Sequence, residues 1–488
     1  MKVLFAASEA VPFLASGGLG DVAGSLPKAI RRRRTACRVV MPLYADIPPE
    51  WREKMKYLTN FTVRLSWRSL YCGVFEANVD GVKYYFIDNE YYFKRPGMYG
   101  YYDDLERFAF FSMAVLEMCR QIDFMPDILH ANDWQTALMP VYYELFYRYQ
   151  PGYENLKTVF TIHNIQYQGK CGLECAGDLF GIPDYATGLV EYDGCINLMK
   201  GAIEAADKVT TVSPTYAREV LDPWFSHGLD RILRDKQYKF CGFLNGIDTS
   251  GYNPETDPAL YAHYSAADPS GKAENKQQLL AELGLPYRAD VPLVGIVTRL
   301  VGHKGIDLVT CVFEEILKLG YQVAVLGSGE YFYEQFFLEM QKRYPEQVAV
   351  NLGFIPSMAR KIYAGSDFFL MPSKSEPCGL AQMISLRYGT IPIVRETGGL
   401  ADSVRDCGGE DGNGFTFKQY NAHDMLYALT RAKELFADRE AYAALSAHAM
   451  TCDFSWNGPA ALYLGLYREI AGQQQTEGFD TGADAKDE

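Results

Sequence analysis

Residues 368–401 alternate twice between a short apolar run and a loop that leads into a helical pattern. The apolar runs are residues 368–371 and 391–394, and a helical pattern with apolar positions at 381, 384 and 386 stands between them. A repeated order of strand, loop and helix predicts a parallel sheet of the α/β class, in which ligands bind at the carboxyl ends of the strands. Both loops are therefore expected at one edge of one sheet.

The two loops carry residue types that suit a sugar nucleotide. Glu376 stands at the end of the first strand before a proline, where its carboxylate can accept hydrogen bonds from sugar hydroxyls or stabilise positive charge. Thr397, Gly398 and Gly399 form the second loop, where glycine lets the backbone approach a ligand and the N–H groups of the next helix suit a phosphate. Either loop alone is also an ordinary turn, but the two together favour a sugar nucleotide.

Length and composition limit the class of protein. A chain of 488 residues with 48% hydrophobic content is too long for one ordinary core and predicts two domains. The formal net charge of −14 argues against nucleic acid and anionic membranes as partners. The 11 cysteines lack paired spacing, the apolar run at residues 3–7 is too short for a signal peptide, and no run is long enough to span a membrane. We therefore expect a cytoplasmic protein with reduced thiols.

The first strand, residues 3–7, is followed by a loop over 8–20 and a helix predicted to begin at Asp21. Ser16, Gly17 and Gly18 lie in this loop, and glycines between a strand and a helix are typical of a phosphate-binding turn. The loop does not complete the G-x-G-x-x-G dinucleotide fingerprint. Residues 61–88, with Asp80 and Gly81 as a tight turn, predict an antiparallel extension of the first domain.

Two further apolar strands end in polar side chains. The strand ending at residue 129 precedes His130, Asp133 and Trp134, and the strand at 159–162 precedes His163, Asn164 and Gln168. These side chains are expected at the carboxyl edge of the first sheet. For His130, a hydrogen-bonded histidine in the core is an equally good interpretation, and a structural role also stays open for His163.

A second α/β series begins near residue 291, after a domain crossing at residues 244–248 where Asn245 is a candidate contact across the cleft. Arg299 and Lys304 follow its first strand, and such cations bind phosphate, although a basic loop by itself is more often plain surface. The sequence lacks the D-x-D triplet of metal-dependent sugar-nucleotide transferases, so no metal site is predicted. Residues 473–488 are polar and acidic and predict a disordered tail.

Seven motifs resemble, in the same order, those of bacterial glycogen synthases and plant starch synthases: GGLGDV, HANDWQT, TIHNIQYQG, LNGID, TRLVGHKG, SEPCGL and TGGLAD. The resemblance implies two Rossmann-like domains facing a cleft, the GT-B arrangement, with residues 1–243 on the acceptor side, 244–455 on the donor side and a helix over 456–472 crossing back to the first domain. It also implies a hexosyltransferase that moves glucose from ADP-glucose to the non-reducing 4-hydroxyl of glycogen or another α-1,4-glucan, with retention of configuration and no cofactor.

The resemblance further implies roles for individual residues. Glu376 would hold the donor glucose and support an oxocarbenium-like transition state with His163 opposite, while Arg299 and Lys304 would bind the donor diphosphate and stabilise the leaving nucleotide. The donor-binding set is Ser16, Gly17, Gly18, Asp21, Asn245, Cys378, Gly379, Leu380, Thr397, Gly398 and Gly399. The acceptor-side set is His130, Asp133, Trp134, Asn164 and Gln168.

One departure leaves the choice of donor open. The family typically has a lysine directed at the donor phosphates two positions before the double glycine, and Ala15 stands there in this chain. A transferase that uses UDP-glucose or a small acceptor is therefore an alternative. A non-catalytic glucan-binding paralogue is disfavoured by the intact catalytic set, and an NAD-dependent enzyme is disfavoured by the incomplete glycine fingerprint.

Overall fold

The computed structural model describes residues 1–409 and 411–472, and the predicted acidic tail lies outside them. Two large sheets, each flanked by helices, confirm the predicted α/β class. Within the described ranges, no helix combines the length and apolar character needed to cross a bilayer. The proposed domain limits at 243 and 455 stay predictions, although the first large sheet ends at Gly242 and the second begins at Leu293.

The strands up to residue 242 form a nine-stranded sheet and a small three-stranded one. In chain order they are β1 (Lys2–Ala6), β2 (Ala36–Pro42), β3 (Lys56–Leu65), β4 (Arg68–Val79), β5 (Val82–Asp88), β6 (Ile128–Asn132), β7 (Lys157–Ile162), β8 (Lys170–Cys171), β9 (Glu191–Tyr192), β10 (Cys195–Asn197), β11 (Lys208–Thr211) and β12 (Phe240–Gly242). The large sheet has the order β12-β11-β7-β6-β1-β2-β5-β4-β3, and the small one has the order β8-β10-β9. β3, β4 and β5 pair antiparallel, which confirms the predicted extension.

The second large sheet contains β13 (Leu293–Val297), β14 (Gln322–Gly327), β15 (Val348–Leu352), β16 (Phe368–Met371), β17 (Ile391–Arg395) and β18 (Phe415–Phe417). Its order is β15-β14-β13-β16-β17-β18, and every pair is parallel. β16 and β17 are neighbours, with Phe368 opposite Ile391. The loops after these two strands therefore meet at one sheet edge, as the sequence predicted.

Helices connect the strands and cover the sheets. In the first half they are α1 (Gly18–Arg32), α2 (Pro49–Arg52), α3 (Glu90–Phe93), α4 (Asp104–Gln121), α5 (Leu138–Tyr142), α6 (Cys175–Asp178), α7 (Leu198–Ala205), α8 (Pro214–Glu219) and α9 (Asp230–Asp235). In the second half they are α10 (Ser270–Glu282), α11 (Ile306–Cys311), α12 (Phe313–Lys318), α13 (Tyr331–Arg343), α14 (Pro356–Gly365), α15 (Ala381–Arg387), α16 (Gly398–Ser403), α17 (Ala422–Ala437), α18 (Arg439–Thr451) and α19 (Asn457–Ile470).

The first helix begins at Gly18, three residues before the predicted start at Asp21. Its N-terminal residues have no side-chain cap of their own. The buried carboxylate of Glu9 instead accepts hydrogen bonds from the N–H groups of Ser16 (2.9 Å) and Gly20 (3.1 Å). A carboxylate at this position satisfies helix N–H groups and favours the positive end of the helix dipole. The cap comes from the preceding loop, so the local pattern around residue 21 does not show it.

The C-terminal helix α19 packs against α1 of the first domain, which confirms the predicted crossing. Tyr463 and Tyr467 of α19 are buried in the same apolar core as β1 and β6. The guanidinium of Arg33, just after α1, donates a hydrogen bond to the Asn457 carbonyl at 2.9 Å. The second sheet has a separate core between its own helices.

Candidate active site

The loop between β16 and α15 holds the Glu376 side chain in a buried position, with 6% of its surface exposed. Its Oε2 atom lies 2.7 Å from Nζ of Lys304 and accepts a hydrogen bond from the Ser373 hydroxyl at 3.0 Å. Lys304 stands in a short 3-10 turn, residues Gly302–Lys304, that follows β13. Two predicted catalytic residues from neighbouring strands therefore meet as an ion pair.

Two further basic residue types, Arg299 and His303, stand in the same loop as Lys304. Burial lowers the pKa of His303, and the nearby charges of Lys304 and Arg299 lower it further. The Arg299 side chain is exposed, so its guanidinium is accessible to a ligand. The Lys374 N–H donates to the His303 carbonyl at 2.9 Å, which ties the loop of Glu376 to the loop of the cations.

The glycine loop before α16 packs directly on the loop of Glu376. The N–H of Gly399 donates to the Glu376 carbonyl at 3.1 Å. Gly398 has φ +45°, and a Cβ atom there would lie 1.9 Å from the same carbonyl oxygen. Only glycine fits this combination of left-handed backbone and close approach.

Part of this glycine loop has a protein partner that the sequence did not indicate. The carboxylate of Glu219, at the end of α8 in the first half of the chain, accepts hydrogen bonds from the Thr397 hydroxyl (2.9 Å) and the Gly398 N–H (3.1 Å). Asp402 of α16 in turn accepts hydrogen bonds from the N–H (2.8 Å) and hydroxyl (2.6 Å) of Thr215 in α8. The N–H predicted for a donor phosphate is thus engaged by a carboxylate in this structure.

On the opposite side, Asp133 organises the strand ends of the first sheet. Its backbone has φ +57°, an unusual conformation for a residue with a side chain. Its Oδ1 atom accepts hydrogen bonds from the N–H groups of His163 (2.7 Å) and Asn164 (3.2 Å). Burial raises the Asp133 pKa to about 7, although these hydrogen bonds favour the charged form. Asp133 therefore positions the loop that carries His163.

The protonation of His163 follows from its neighbours. Its Nε2 atom lies 2.9 Å from Oδ1 of Asn132, and the Asn132 amide nitrogen donates to the Ala6 carbonyl at 3.0 Å. The amide orientation makes Asn132 Oδ1 an acceptor, so His163 Nε2 carries the proton and Nδ1 keeps a lone pair. Burial lowers the His163 pKa to about 3, so the ring is neutral at pH 7.

His130 does not reach the cleft, and its assignment to the acceptor side is wrong. The side chain is fully buried, with Nδ1 2.6 Å from the Tyr467 hydroxyl and Nε2 2.6 Å from the Thr161 hydroxyl. Both ring nitrogens are engaged inside the core. The interpretation as a hydrogen-bonded core histidine, joining the first sheet to α19, is the one that the structure supports.

Gln168 and Trp134, two of the predicted acceptor-side residues, differ in exposure: Gln168 is buried, and Trp134 is half-buried. The Gln168 amide donates to the carbonyls of Ile165 (3.0 Å) and His227 (3.1 Å), and its oxygen accepts from Asn197 at 2.7 Å. The amide nitrogen and the amide oxygen of Gln168 are therefore both hydrogen-bonded within the protein, where they connect the segments of Ile165, Asn197 and His227. Trp134 is half-buried, and its ring lies edge-on to Phe108 at 5.4 Å.

The first glycine loop faces the loop of Glu376. A Cβ atom on Gly18 would lie 3.8 Å from Cδ1 of Leu380, and residues 15–18 are exposed. The Ser16 hydroxyl donates to Glu9 at 2.7 Å, so the exposed N–H groups of Gly17 and Gly18 are the better candidates for a donor phosphate. Burial, together with the charges of Glu9 and Asp248, raises the pKa of Asp21 to about 6.

Three further residues of the predicted donor-binding set are shielded from solvent: Asn245 and Cys378 are buried, and Gly379 is half-buried. Asn245 is 5% exposed, and within the described ranges its Oδ1 atom is buried without a hydrogen-bond partner. Burial raises the pKa of the Cys378 thiol to about 12, which leaves it protonated at pH 7. Gly379 has φ +68°, which turns the chain between Cys378 and α15.

Comparison with known proteins identifies the family. A family model described as the starch synthase catalytic domain matches residues 2–235, and one described as glycosyl transferases group 1 matches residues 285–449. The glycogen synthase of Geobacillus thermodenitrificans is 48% identical over 479 residues, covering 97% of this chain and 99% of the relative. The glycogen synthase of Desulforamulus reducens is 48% identical over 475 residues, covering 96% of this chain and 99% of the relative. The chain belongs to the glycogen and starch synthase family.

Solved structures agree with this membership of the glycogen and starch synthase family. The catalytic domain of starch synthase IV from Arabidopsis thaliana, bound to ADP and acarbose, has a TM-score of 0.90 and 36% identity, covering 96% of this chain and 99% of that one. Sucrose-phosphate synthase from Thermosynechococcus elongatus has a TM-score of 0.62 and 15% identity, and the match covers 97% of this chain and 100% of that one. At this identity the likeness concerns the fold alone. The predicted GT-B fold is confirmed.

Sequence reasoning missed three residues that organise the site. Asn132 fixes the tautomer of His163 and stands inside the HANDWQT motif, so its position was a usable signal. Glu9 and Glu219 orient the two glycine loops, and neither lies in a recognised motif. In the part of the chain that the structure describes, no group of three or more His, Cys, Asp and Glu residues has a metal-binding arrangement.

Proposed function

We propose that this glycogen and starch synthase family member transfers glucose from ADP-glucose to the non-reducing 4-hydroxyl of an α-1,4-glucan, with retention of configuration. The observation that carries the proposal is the Lys304–Glu376 pair, held at 2.7 Å on one sheet edge and faced by the first glycine loop. The pair places a buried carboxylate for the sugar beside a cation for the diphosphate. The relatives named glycogen synthase support the choice of glucan.

In this proposal the second domain binds the donor. Arg299 and Lys304 bind the diphosphate, assisted by the N–H groups of Gly17 and Gly18, and neutralise the negative charge that grows on the leaving nucleotide. Among the described residues, Lys304 and Ser373 both bind the Glu376 side chain through Oε2, which leaves Oε1 to accept a hydroxyl of the glucose or to face developing positive charge. The Oδ1 atom of Asn245, which has no hydrogen-bond partner among residues 1–409 and 411–472, is a further acceptor for a hydroxyl of the donor.

The first domain supplies His163 as an uncharged hydrogen-bond acceptor. Its unprotonated Nδ1 accepts a hydrogen bond from a sugar hydroxyl, while Asn132 and Asp133 hold the ring and the backbone in place. Retention follows if the acceptor hydroxyl attacks the face from which the nucleotide leaves and passes its proton to the leaving phosphate. Closure of the two domains over the donor excludes water, which otherwise hydrolyses it. In this proposal, Arg299, Lys304 and backbone N–H groups neutralise the phosphate charge without a metal ion. We also propose that the protein is cytoplasmic.

The test is release of nucleoside diphosphate from ADP-glucose or UDP-glucose, with and without glycogen, combined with incorporation of labelled glucose into polymer. Glycogen-dependent release of ADP with incorporation supports the proposal. Reaction with UDP-glucose alone means that the Ala15 substitution marks a change of donor. Glycogen binding without turnover of either donor supports the non-catalytic paralogue instead.

A further inference from the structure

Trp224 lies in the loop between α8 and α9 of the first domain. The Asp222 carboxylate accepts a hydrogen bond from the Trp224 N–H at 2.8 Å. Three residues further on, the His227 carbonyl accepts the hydrogen bond from Gln168. Gln168 belongs to the TIHNIQYQG motif that also carries His163. The loop is thereby fastened to the segment that carries His163.

The Trp224 indole also touches the other domain. The Lys374 Nζ atom lies 4.8 Å from the centre of the ring, and Lys374 stands two residues before Glu376. Despite this contact, 70% of the Trp224 surface is exposed. Lys374 covers one part of the ring, and the rest faces solvent between the acceptor-side loop and the loop of Glu376.

A large exposed indole at this position has a chemical use. The flat aromatic face packs against the apolar C–H face of a pyranose ring, and tryptophan provides a wide, rigid surface for such contact. The Lys374 ammonium, bound to the ring by a cation–π contact, remains a hydrogen-bond donor for sugar hydroxyls. An apolar surface with a few convergent polar groups is the usual composition of a binding site for a small polar ligand.

We propose that Trp224, with Lys374 beside it, forms a subsite for a glucose unit of the α-1,4-glucan acceptor, outside the unit that receives the new bond. The inference rests on the proposed function, because it takes the acceptor to be an α-1,4-glucan that leaves the cleft between the two domains. Trp224 here is a binding residue with no part in the chemical step. Its contribution grows with acceptor length, since only a longer chain reaches it.

The test compares Trp224→Ala, Trp224→Phe and Trp67→Ala with the wild type. Trp67 is a matched control because its indole is 74% exposed, lies in the same domain and has its Nε1–H bonded to Asp178. With maltoheptaose as acceptor, Trp224→Ala should raise KM about tenfold, a loss typical of one aromatic contact. KM for ADP-glucose should change less than about twofold, Trp224→Phe should recover most of the acceptor affinity, and Trp67→Ala should match the wild type. With maltose, the variants should differ little.

Calorimetric binding of maltoheptaose without donor separates this inference from the proposed function. If the wild type binds maltoheptaose and Trp224→Ala loses about tenfold affinity, the subsite stands even when no glucose is transferred. If Trp224→Ala binds and uses maltoheptaose like the wild type, the subsite is overturned even when ADP-glucose is the donor. An equal loss in Trp67→Ala, or a weakened affinity for ADP in Trp224→Ala alone, also overturns it.

Discussion

Replacing Glu376 by glutamine removes one negative charge and keeps the shape of the side chain. The buried carboxylate is fixed by Lys304 at 2.7 Å and Ser373 at 3.0 Å, so little reorganisation is needed when positive charge develops on the donor sugar. Loss of one such preorganised interaction costs about 3 to 4 kcal/mol, which lowers kcat by about 10²- to 10³-fold. We expect the glutamine variant to fall in this range.

The affinity for ADP should respond differently. In the wild type, Lys304 shares its charge with Glu376 through a charge-assisted hydrogen bond, an interaction of about 1.5 to 3 kcal/mol. In the wild type, the Glu376 carboxylate competes with the ADP phosphates for Lys304. Glutamine binds Lys304 more weakly and removes a negative charge near the bound phosphates. The dissociation constant of ADP should therefore stay the same or decrease while kcat falls.

The assay measures initial rates of glycogen-dependent ADP release and calorimetric affinity for ADP. Glu282→Gln is the matched control, because Glu282 of α10 lies 2.6 Å from Lys361 of α14 in a partly exposed ion pair. The control should keep wild-type kcat. A kcat of Glu376→Gln within tenfold of the wild type, or an ADP affinity that falls as steeply as kcat, would refute the assigned role. A double-mutant cycle with Lys304→Met then measures the coupling of the pair.

Three further variants test separate parts of the site. Ala15→Lys adds a cation beside the first glycine loop and should lower KM for ADP-glucose; an unchanged KM in steady-state assays would show that other groups bind the phosphates. Gly398→Ala forces a Cβ atom to 1.9 Å from the Glu376 carbonyl oxygen, so calorimetry should show that the free energy of unfolding falls by about 1 to 3 kcal/mol. The control is Gly465→Ala, whose Cβ atom would meet no other atom within 4 Å and which should lose no stability. Asp133 has a raised pKa near 7, so its ionisation lowers stability as pH rises from about 4 to 7. Asp133→Asn should therefore gain in melting temperature over the wild type as pH rises through this window, and a pH-independent difference would contradict the raised pKa.

Much of the fold was predictable because it depends on local patterns. Alternating apolar runs and helical segments specify strands and helices, and parallel strands bring their carboxyl ends together, so the loops of Glu376 and Gly398 were expected side by side. The turn at Asp80 and Gly81 was also predictable, and the structure confirms it with φ +50° and +79°. These features need only the residues of one segment.

The errors and omissions concern side chains whose partners lie far along the sequence. In the sequence, His130 and His163 both follow an apolar run and precede polar residues, but β6 continues to Asn132 and holds His130 inside the strand, whereas His163 follows the end of β7. Only the packing of α19, which brings the Tyr467 hydroxyl to 2.6 Å, shows that His130 belongs to the core. Likewise, Glu219 reaches the loop at Gly398 across 179 positions of sequence.

The sequence by itself determined the two-sheet α/β architecture, the family, and the residue types available for phosphate and sugar, because these follow from periodicity and from ordered motifs. The tertiary structure decided which of those groups are accessible. In the folded chain, the Gly398 N–H is hydrogen-bonded to Glu219 and Asn132 fixes the tautomer of His163. Trp224 lies exposed beside Lys374. The physical reason is that the availability of a donor or acceptor depends on its own hydrogen-bond partners, and long-range packing alone assigns those partners.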